Sequence, residues 1–379
     1  MEAYLAALAP LLLNNGFEVG FVSQYKPIGS LSNWIQVNGP MWHLDRTDVE
    51  SVLLAVRDWS PDVVFSHGMG NPEFENRIST HFKVVYLNHN YGGVCASGTK
   101  MHFMPWPRHC PWPLGPRCVA GWMPMLCDGF NPLRFIRALK REKYRQELFH
   151  KAHTICVASM HMRSVMIQNG VPEEKVRLLP LFPTHGEPDQ SPPVPRPQTD
   201  KVLLAGRLTR LKGWTHLVPA IARASETLGR RLSLVVAGDG PDRLRLAGLA
   251  RKWDVPLEDH GWQNSTGITA LMREADLLAV PSLWPEPFGL VGIEAGCVGT
   301  PAVAYAVGGI PDWLVPGVSG EMAPGDALKS RPLADAIVRA LRDPGHWQQL
   351  REGSWRQAVR FSREKHMEDL LNILRGAAG

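Results

Sequence analysis

Arg207 and Lys212 lie five residues apart in Ala205-Gly-Arg-Leu-Thr-Arg-Leu-Lys-Gly213, where a strand-like run ends at a glycine and a helix-like run begins. A guanidinium and an ammonium near a helix N-terminus suit a diphosphate, because one offers a planar fork of donors and the other a point charge. A solvated basic turn has the same composition, so this piece alone leaves both readings open. Further on, Pro281-Ser-Leu-Trp-Pro-Glu286-Pro-Phe-Gly289-Leu-Val-Gly-Ile-Glu294 sets two carboxylates on either side of a glycine that opens a helix. Free N–H groups and the positive dipole end at such a start suit an anion. Carboxylates there would repel phosphate, but they make sense as acceptors for hydroxyls, one from a ribose and one from a sugar ring. The plain alternative is an exposed loop acid and an ordinary helix acid. A third piece, Ala306-Val-Gly308-Gly309-Ile-Pro311-Asp312, is a glycine turn with a proline in the following first turn, either a cleft wall or a simple tight connection.

The N-terminal half offers less. Cys95, Cys110, Cys118 and Cys127 follow one another at intervals of 15, 8 and 9 residues. Most zinc ribbons use two-residue gaps, so the spacing identifies no metal site. A metal or redox staple and free thiols packed beside Trp106, Trp112 and Trp122 both stay open. Next, Pro132–Ala152 reads as a helix carrying Arg134, Arg137, Lys140, Arg141, Lys143 and Arg145. Such a helix can touch anionic lipid or a lipid-phosphate acceptor, and it can equally be a solvated face.

These residues need elements that set them at strand ends. Glu2–Leu13 is apolar on most faces and stops at Asn14-Asn15-Gly16, a helix with its end signal. Phe17–Ser23, Asp62–Ser66, Lys83–Asn88 and Thr154–Ala158 read as strands, with helices over Thr47–Asp58 and Met160–Asn169. Gly92–Asp128 breaks the alternation and reads as a long loop or insertion. Thr184–Asp200 has the polar, proline-rich composition of an interdomain linker. Beyond it Lys201–Ala205, Leu232–Ala237, Leu277–Val280 and Ala302–Ala304 read as strands, with helices over Gly213–Ala224 and Asp242–Lys252. The alternation implies an α/β chain of two doubly wound domains with parallel sheets, whose ligands bind beyond the carboxyl ends of the strands. The expected spans are 1–190 and 191–355, with a final helix over 356–379 packing back on the first domain.

A length of 379 residues agrees with two cores, and a net charge of +5 gives no reason to expect nucleic acid. No apolar run reaches the roughly 18–20 residues of a membrane span. Tyr4–Leu13 lacks the basic start of a secretory signal, having Glu2 there instead. A cytoplasmic protein is expected.

In combination, Gly206-Arg207 with Lys212-Gly213, Gly238-Asp239-Gly240-Pro241, Glu286 with Glu294, and Gly308-Gly309-Ile-Pro-Asp312 resemble family 4 of the retaining glycosyltransferases, over residues 201–326. The resemblance implies the GT-B fold, two Rossmann-like domains facing across a cleft. The C-terminal one would hold a nucleotide-sugar with no metal or other cofactor, a UDP-sugar being favoured and a GDP-sugar the alternative. It implies Arg207 and Lys212 on the diphosphate, Glu294 on the ribose and Glu286 on the donor sugar. Phe288, Gly289 and Leu290 would complete the phosphate contacts through backbone N–H groups, and Gly261-Trp262 would line the base pocket. Leu87-Asn-His89-Asn-Tyr91 is similar to the family's strand-end histidine facing the reacting sugar, so His89 is a candidate contact and His67 a weaker one of the same kind. A structural histidine is the alternative for both. The implied reaction is retaining hexosyl transfer to a hydroxyl of a glycan, a lipid-linked acceptor or a metabolite. Attack comes on the leaving group's face, and the departing phosphate takes the acceptor's proton.

One departure stands out: the family opens with a strand and a glycine-rich loop, whereas this sequence opens in the helix that follows them. Either the true start lies upstream, which is the preferred reading, or the N-terminal domain is impaired; without that strand, backbone groups of its neighbours should be left unpaired. A weakly active or non-catalytic nucleotide-sugar binder is therefore the second reading. A phosphorylase or epimerase of the same fold is the third, with no extra lysine motif in its favour. Base, sugar and acceptor are not legible, since acceptor choice belongs to the variable half.

Overall fold

Apolar residues at helical spacing make Glu2–Asn14 a helix, α1, with Tyr4, Leu8, Ala9 and Leu12 buried. The computed structural model describes residues 2–24, 35, 37–44, 48–127, 129–326 and 328–379. The chain divides into two units. One comprises Met1–Pro105, Cys110–Leu179 and Met367–Gly379, the other Trp106–His109 and Pro180–His366.

In the first unit, α1 is followed by β1 (Phe21–Ser23) and β2 (Met41–His43), which pair in parallel. Next come α2 (Val49–Trp59), β3 (Val64–Ser66), α3 (Pro72–Ile78) and β4 (Val84–Asn88). Asp48 caps α2 by accepting from the Ser51 N–H at 3.3 Å, and Val52, Leu53 and Val56 pack on Phe74, Ile78 and Val84. Thr47, where the sequence places the helix start, lies outside the described residues. The stretch read as an irregular insertion contains local structure: β5 (Met101–His102) and α4 (Pro116–Gly121) in this unit, and β6 (Arg108–His109) among the residues of the second. After it come α5 (Pro132–Lys151), β7 (Thr154–Val157), α6 (Met160–Gln168) and β8 (Val176–Leu178). The sheet runs β3-β4-β7-β8, all parallel. Every residue of β4 is buried, as expected of a central strand covered on both faces.

Two strand edges in this unit carry no ladder among the described residues. Phe21 donates to Pro40 and Ser23 accepts from Leu44, so the alternation of a parallel strand points Val22's backbone groups away from β2. Val64 donates to Lys83, so Val63 and Phe65 likewise point away from β4. A cavity of about 1230 Å³ lies against both strands, walled by α1 and floored by Leu374 and Ala378. A five-residue strand with its share of the layers above and below fills roughly 17 by 5 by 10 Å, so the cavity is of strand size or larger.

The second unit begins with a strap, followed by β9 (Lys201–Ala205), α7 (Trp214–Leu228), β10 (Ser233–Ala237) and α8 (Arg243–Lys252). Then come β11 (Leu257–Asp259), α9 (Ser265–Glu274), β12 (Leu277–Val280), α10 (Leu290–Cys297) and β13 (Ala302–Tyr305). The sequence reading omits β14 (Gly320–Ala323), as it does β2 and β8; α11 (Ser330–Leu341) and α12 (Pro344–Val359) follow β14, and α13 (Arg363–Ala378) belongs to the first unit from Met367 onward. The six strands are parallel in the order β11-β10-β9-β12-β13-β14. Chain order reverses between β9 and β12, the switch point where such sheets leave a crevice.

The proline-rich Thr184–Asp200 is not a free linker. Asp276, fully buried, accepts from the backbone N–H groups of Thr199 (2.8 Å) and Asp200 (2.6 Å) and pairs with Arg196 at 3.2 Å. The Asp189 carboxylate pairs with Arg273 at 2.6 Å, and its carbonyl accepts from the Trp355 indole at 2.8 Å. Proline composition sets local extension, and these long-range partners fix the segment onto the second unit.

Candidate active site

Three loops meet at the carboxyl ends of β9, β12 and β13, adjacent strands in the sheet. After β9, Arg210–Lys212 forms one 3-10 turn, and Gly213 (φ +74°) starts α7. A Cβ on Gly213 would sit 1.7 Å from the Pro281 carbonyl oxygen, so this glycine lets the β9 and β12 loops close on each other. Leu283 donates its N–H to the Leu211 carbonyl at 2.8 Å, and Gly309 of the β13 loop donates to the Glu286 carbonyl at 2.7 Å. Gly308, at φ +58°, passes so close that its Cβ would lie 2.1 Å from the same carbonyl oxygen.

The loops converge on Glu286, only 5% exposed. Its Oε1 accepts from Lys212 Nζ at 2.7 Å, Ser282 Oγ at 2.5 Å and Trp284 Nε1 at 2.9 Å. The carboxylate is thus fixed in place, with Oε2 not engaged by these three. Lys212 spends one of three donors on Glu286 and keeps two. Arg207 is exposed on the β9 loop and makes no ion pair among the described residues. At the start of α10, Gly289 (φ +88°) provides no side-chain cap, so the first-turn N–H groups at Leu290 and Val291 face the loop end. Trp313 holds this turn from behind: its indole donates to the Phe288 carbonyl at 2.7 Å, and its ring fills the space a side chain at Gly292 would need.

The structure thus brings Lys212, Glu286, Gly289 and Leu290 together around the switch point. Other residues of the expected set are placed differently. Glu294 is buried on α10, and its Oε1 accepts from the Thr184 hydroxyl at 3.0 Å and from its N–H at 3.3 Å. The Phe288 ring is core, edge-on to Phe361 at 5.8 Å, so only its backbone is available to a ligand. Gly261 follows β11, where its carbonyl accepts from Gly238, but the Trp262 ring is 75% exposed and shares no contact with the Glu286 cluster among the described residues. Sequence reasoning missed Ser282, Trp284, Thr184 and Trp313. The first two stand within four residues of Glu286, which is the only signal they offered.

In the first unit, His67 and His89 follow the adjacent strands β3 and β4, and His67 Nδ1 lies 2.9 Å from His89 Nε2. The imidazoles stack at 5.3 Å with the Tyr4 ring beside both. Burial pushes His89 down to about 4, so it is neutral at pH 7. A buried ion pair supports both loops. Arg145 donates to Glu142 at 2.8 Å and to the Met69 carbonyl at 2.6 Å, while Gly93 donates to Glu142 at 2.7 Å. Of the four clustered cysteines, Cys95, Cys110 and Cys118 are free thiols. Among the described residues no group of three or more His, Cys, Asp or Glu side chains could hold a metal ion. Burial raises the Cys110 thiol above its ordinary value, and Cys118 packs on the cluster of Trp122 and Phe135.

Residues 187–356 match the family described as Glycosyl transferases group 1. A D-inositol 3-phosphate glycosyltransferase of Salinispora arenicola is 36% identical over 182 residues, 45% of this chain and 40% of that protein. A 2-deoxystreptamine glucosyltransferase of Streptomyces kanamyceticus is 34% identical over 181 residues, 46% of this chain and 42% of that protein. The chain spans less than half the length of these curated relatives. Among solved structures, the lipopolysaccharide outer core galactosyltransferase WaaB superposes with a TM-score of 0.69 at 14% identity, covering 99% of this chain and 95% of that one. HepE of Anabaena in complex with UDP and glucose gives 0.63 at 18% identity, covering 98% and 89%. Those likenesses give the fold alone, the GT-B fold with Rossmann-like units.

Proposed function

We propose that this chain, whose residues 187–356 carry a glycosyl transferases group 1 domain, moves a hexosyl group from a nucleotide-sugar to an acceptor hydroxyl with retention at the anomeric carbon. The second unit holds the donor and the first selects the acceptor. The observation that carries this reading is the Lys212–Glu286 pair at the switch point, beside an uncapped helix start. A UDP-sugar fits best, since HepE is a UDP and glucose complex, and a GDP-sugar is the alternative. The acceptor is a glycan or a lipid-linked saccharide.

In the transfer, the bond from the anomeric carbon to the distal phosphate oxygen breaks as the acceptor oxygen bonds to the same carbon on the same face. The acceptor's proton passes to the released phosphate oxygen. Charge grows on that phosphate; in this reading the two remaining Lys212 donors, Arg207 and the first-turn N–H groups of α10 neutralise it without a metal ion. Glu286 accepts hydroxyls of the sugar and does not act as base. Glu294 serves the ribose through the oxygen that Thr184 leaves free. His89, neutral and donating through one nitrogen, contacts the sugar or the acceptor.

Titration with UDP, UDP-sugars and GDP-sugars, read by thermal shift and by sugar release, tests the reading. Arg207→Ala should abolish nucleotide stabilisation and turnover at an unchanged melting temperature, since Arg207 is exposed, whereas Arg207→Ala/Lys212→Ala should also lower the melting temperature by stranding the buried Glu286 carboxylate. Normal transfer in that variant would sink the phosphate assignment. Glu286→Gln should cost about 10²–10³ in kcat with UDP binding retained. The cavity beside β1 and β3 favours one second reading, a weakly active nucleotide-sugar binder. It predicts UDP stabilisation with no transfer to any acceptor.

A further inference from the structure

Most of the exposed large apolar side chains of the first unit fall between Met104 and Tyr144, and they coincide with its densest positive charge. Phe130 is 75% exposed, Leu133 64% and Ile136 47%. Leu133, Ile136, Lys140 and Tyr144 follow at spacings of three or four and share one face of α5. Arg137 lies on that face, with Arg134 and Arg141 along one flank and Lys143 along the other. The one acid between Gly129 and Tyr144 is Glu142, which is turned inward to Arg145 and is 3% exposed. The outer face of these turns is therefore cationic and apolar, with no exposed carboxylate. The start of α5 adds its positive dipole end beside Phe130 and Leu133. The opposite face is anchored: Phe135 stacks on Trp122 at 4.9 Å, and Ala138 and Leu148 are buried.

A merely solvated basic face gains nothing from leaving Phe130, Leu133 and Ile136 in water. Nucleic acid would reward the cations and not the aliphatic groups. A membrane interface rewards both, because cations meet anionic headgroups while apolar side chains enter the acyl boundary. We propose that the N-terminal half of α5 with Phe130 is a docking surface for the anionic face of a lipid bilayer. Its partner is the bilayer and not the nucleotide-sugar, so its test is independent of transfer chemistry.

The full-length chain is sedimented with vesicles of phosphatidylcholine alone and with vesicles carrying 30% phosphatidylglycerol. Binding is expected to the anionic vesicles only and to fall steeply as salt is raised. Each surface cation contributes about fivefold, so Arg137→Gln/Lys140→Gln/Lys143→Gln should weaken binding roughly 100-fold. Leu133→Ser/Ile136→Ser should weaken it at unchanged net charge, and both variants should keep the wild-type melting temperature because the positions are exposed. Equal binding to neutral vesicles, no binding at low salt, or binding that neither variant weakens would overturn the proposal. So would a dimer that Leu133→Ser/Ile136→Ser dissolves in a protein that ignores vesicles, since the face would then be a contact between copies.

Discussion

At the residue scale, Glu286 shows how position changes the meaning of a side chain. Three donors on one oxygen hold the carboxylate still, so a hydroxyl brought to it would meet a pre-oriented acceptor. The glycines around it are equally constrained. Gly213→Ala places a Cβ against the Pro281 carbonyl in a left-handed backbone, and the expected loss is about 3 kcal/mol or more, read from denaturant midpoints. His89 offers a pH test. Its folded value of about 4 lies below its ordinary 6.5, so from pH 6.5 down to 4 the unfolded chain binds a proton that the folded chain refuses. Stability should fall across that window, by about 3 kcal/mol at most from this group, and stay level from it above pH 6.5. In His89→Gln the difference in unfolding free energy between pH 7 and 4.5 should shrink. It should not vanish, because burial also lowers His109 and His216.

At the element scale, the strap 184–200 and helix α5 both read ambiguously as sequence. Composition marked the strap as a linker, yet Asp276 binds two of its backbone N–H groups and Arg196. Asp276→Ala strands those donors and should cost about 2–4 kcal/mol. Hydrogen exchange at residues 196–200 should rise sharply in that variant, and unchanged protection there would mean the carboxylate does not hold the strap. For α5 the charge count was visible in the sequence, but which residues face outward was not. Periodicity alone fits Leu133 and Ile136 as core. The packing of Trp122 on Phe135 settles the buried face and leaves those two outside.

At the scale of the whole molecule, the two units differ in how completely their sheets are built. Among the described residues the second has six strands in one ladder, and the first has a four-stranded sheet and the separate β1–β2 pair, with a cavity of about 1230 Å³ beside both. Interiors are normally close-packed, and lining atoms that face a void lose contact partners. Hydrogen exchange should accordingly be faster in α1 and β1 than in β9, β10 and β12. Saturating UDP, at about 100 times its dissociation constant, should add about 2.7 kcal/mol of protection to the second unit. Equal protection of the two units, with or without UDP, would contradict this.

Local chemistry wrote much of this protein plainly into its sequence. Apolar runs bounded by glycines marked the longer parallel strands of both units but not β2, β8 or β14, and glycine–cation and glycine–carboxylate spacings marked Lys212, Glu286 and Gly289, because strand–turn–helix signals lie within a dozen residues. Tertiary structure decided who meets whom. Lys212 reaches Glu286 across 74 residues because the sheet reverses its order between β9 and β12. His67 finds His89 because β3 and β4 are neighbours. Glu294 meets Thr184, and Phe288 turns into the core, through packing that no local spacing encodes. Propensity acts along the chain, whereas burial and close approach act across it, so the motifs were legible early and their partners only in three dimensions.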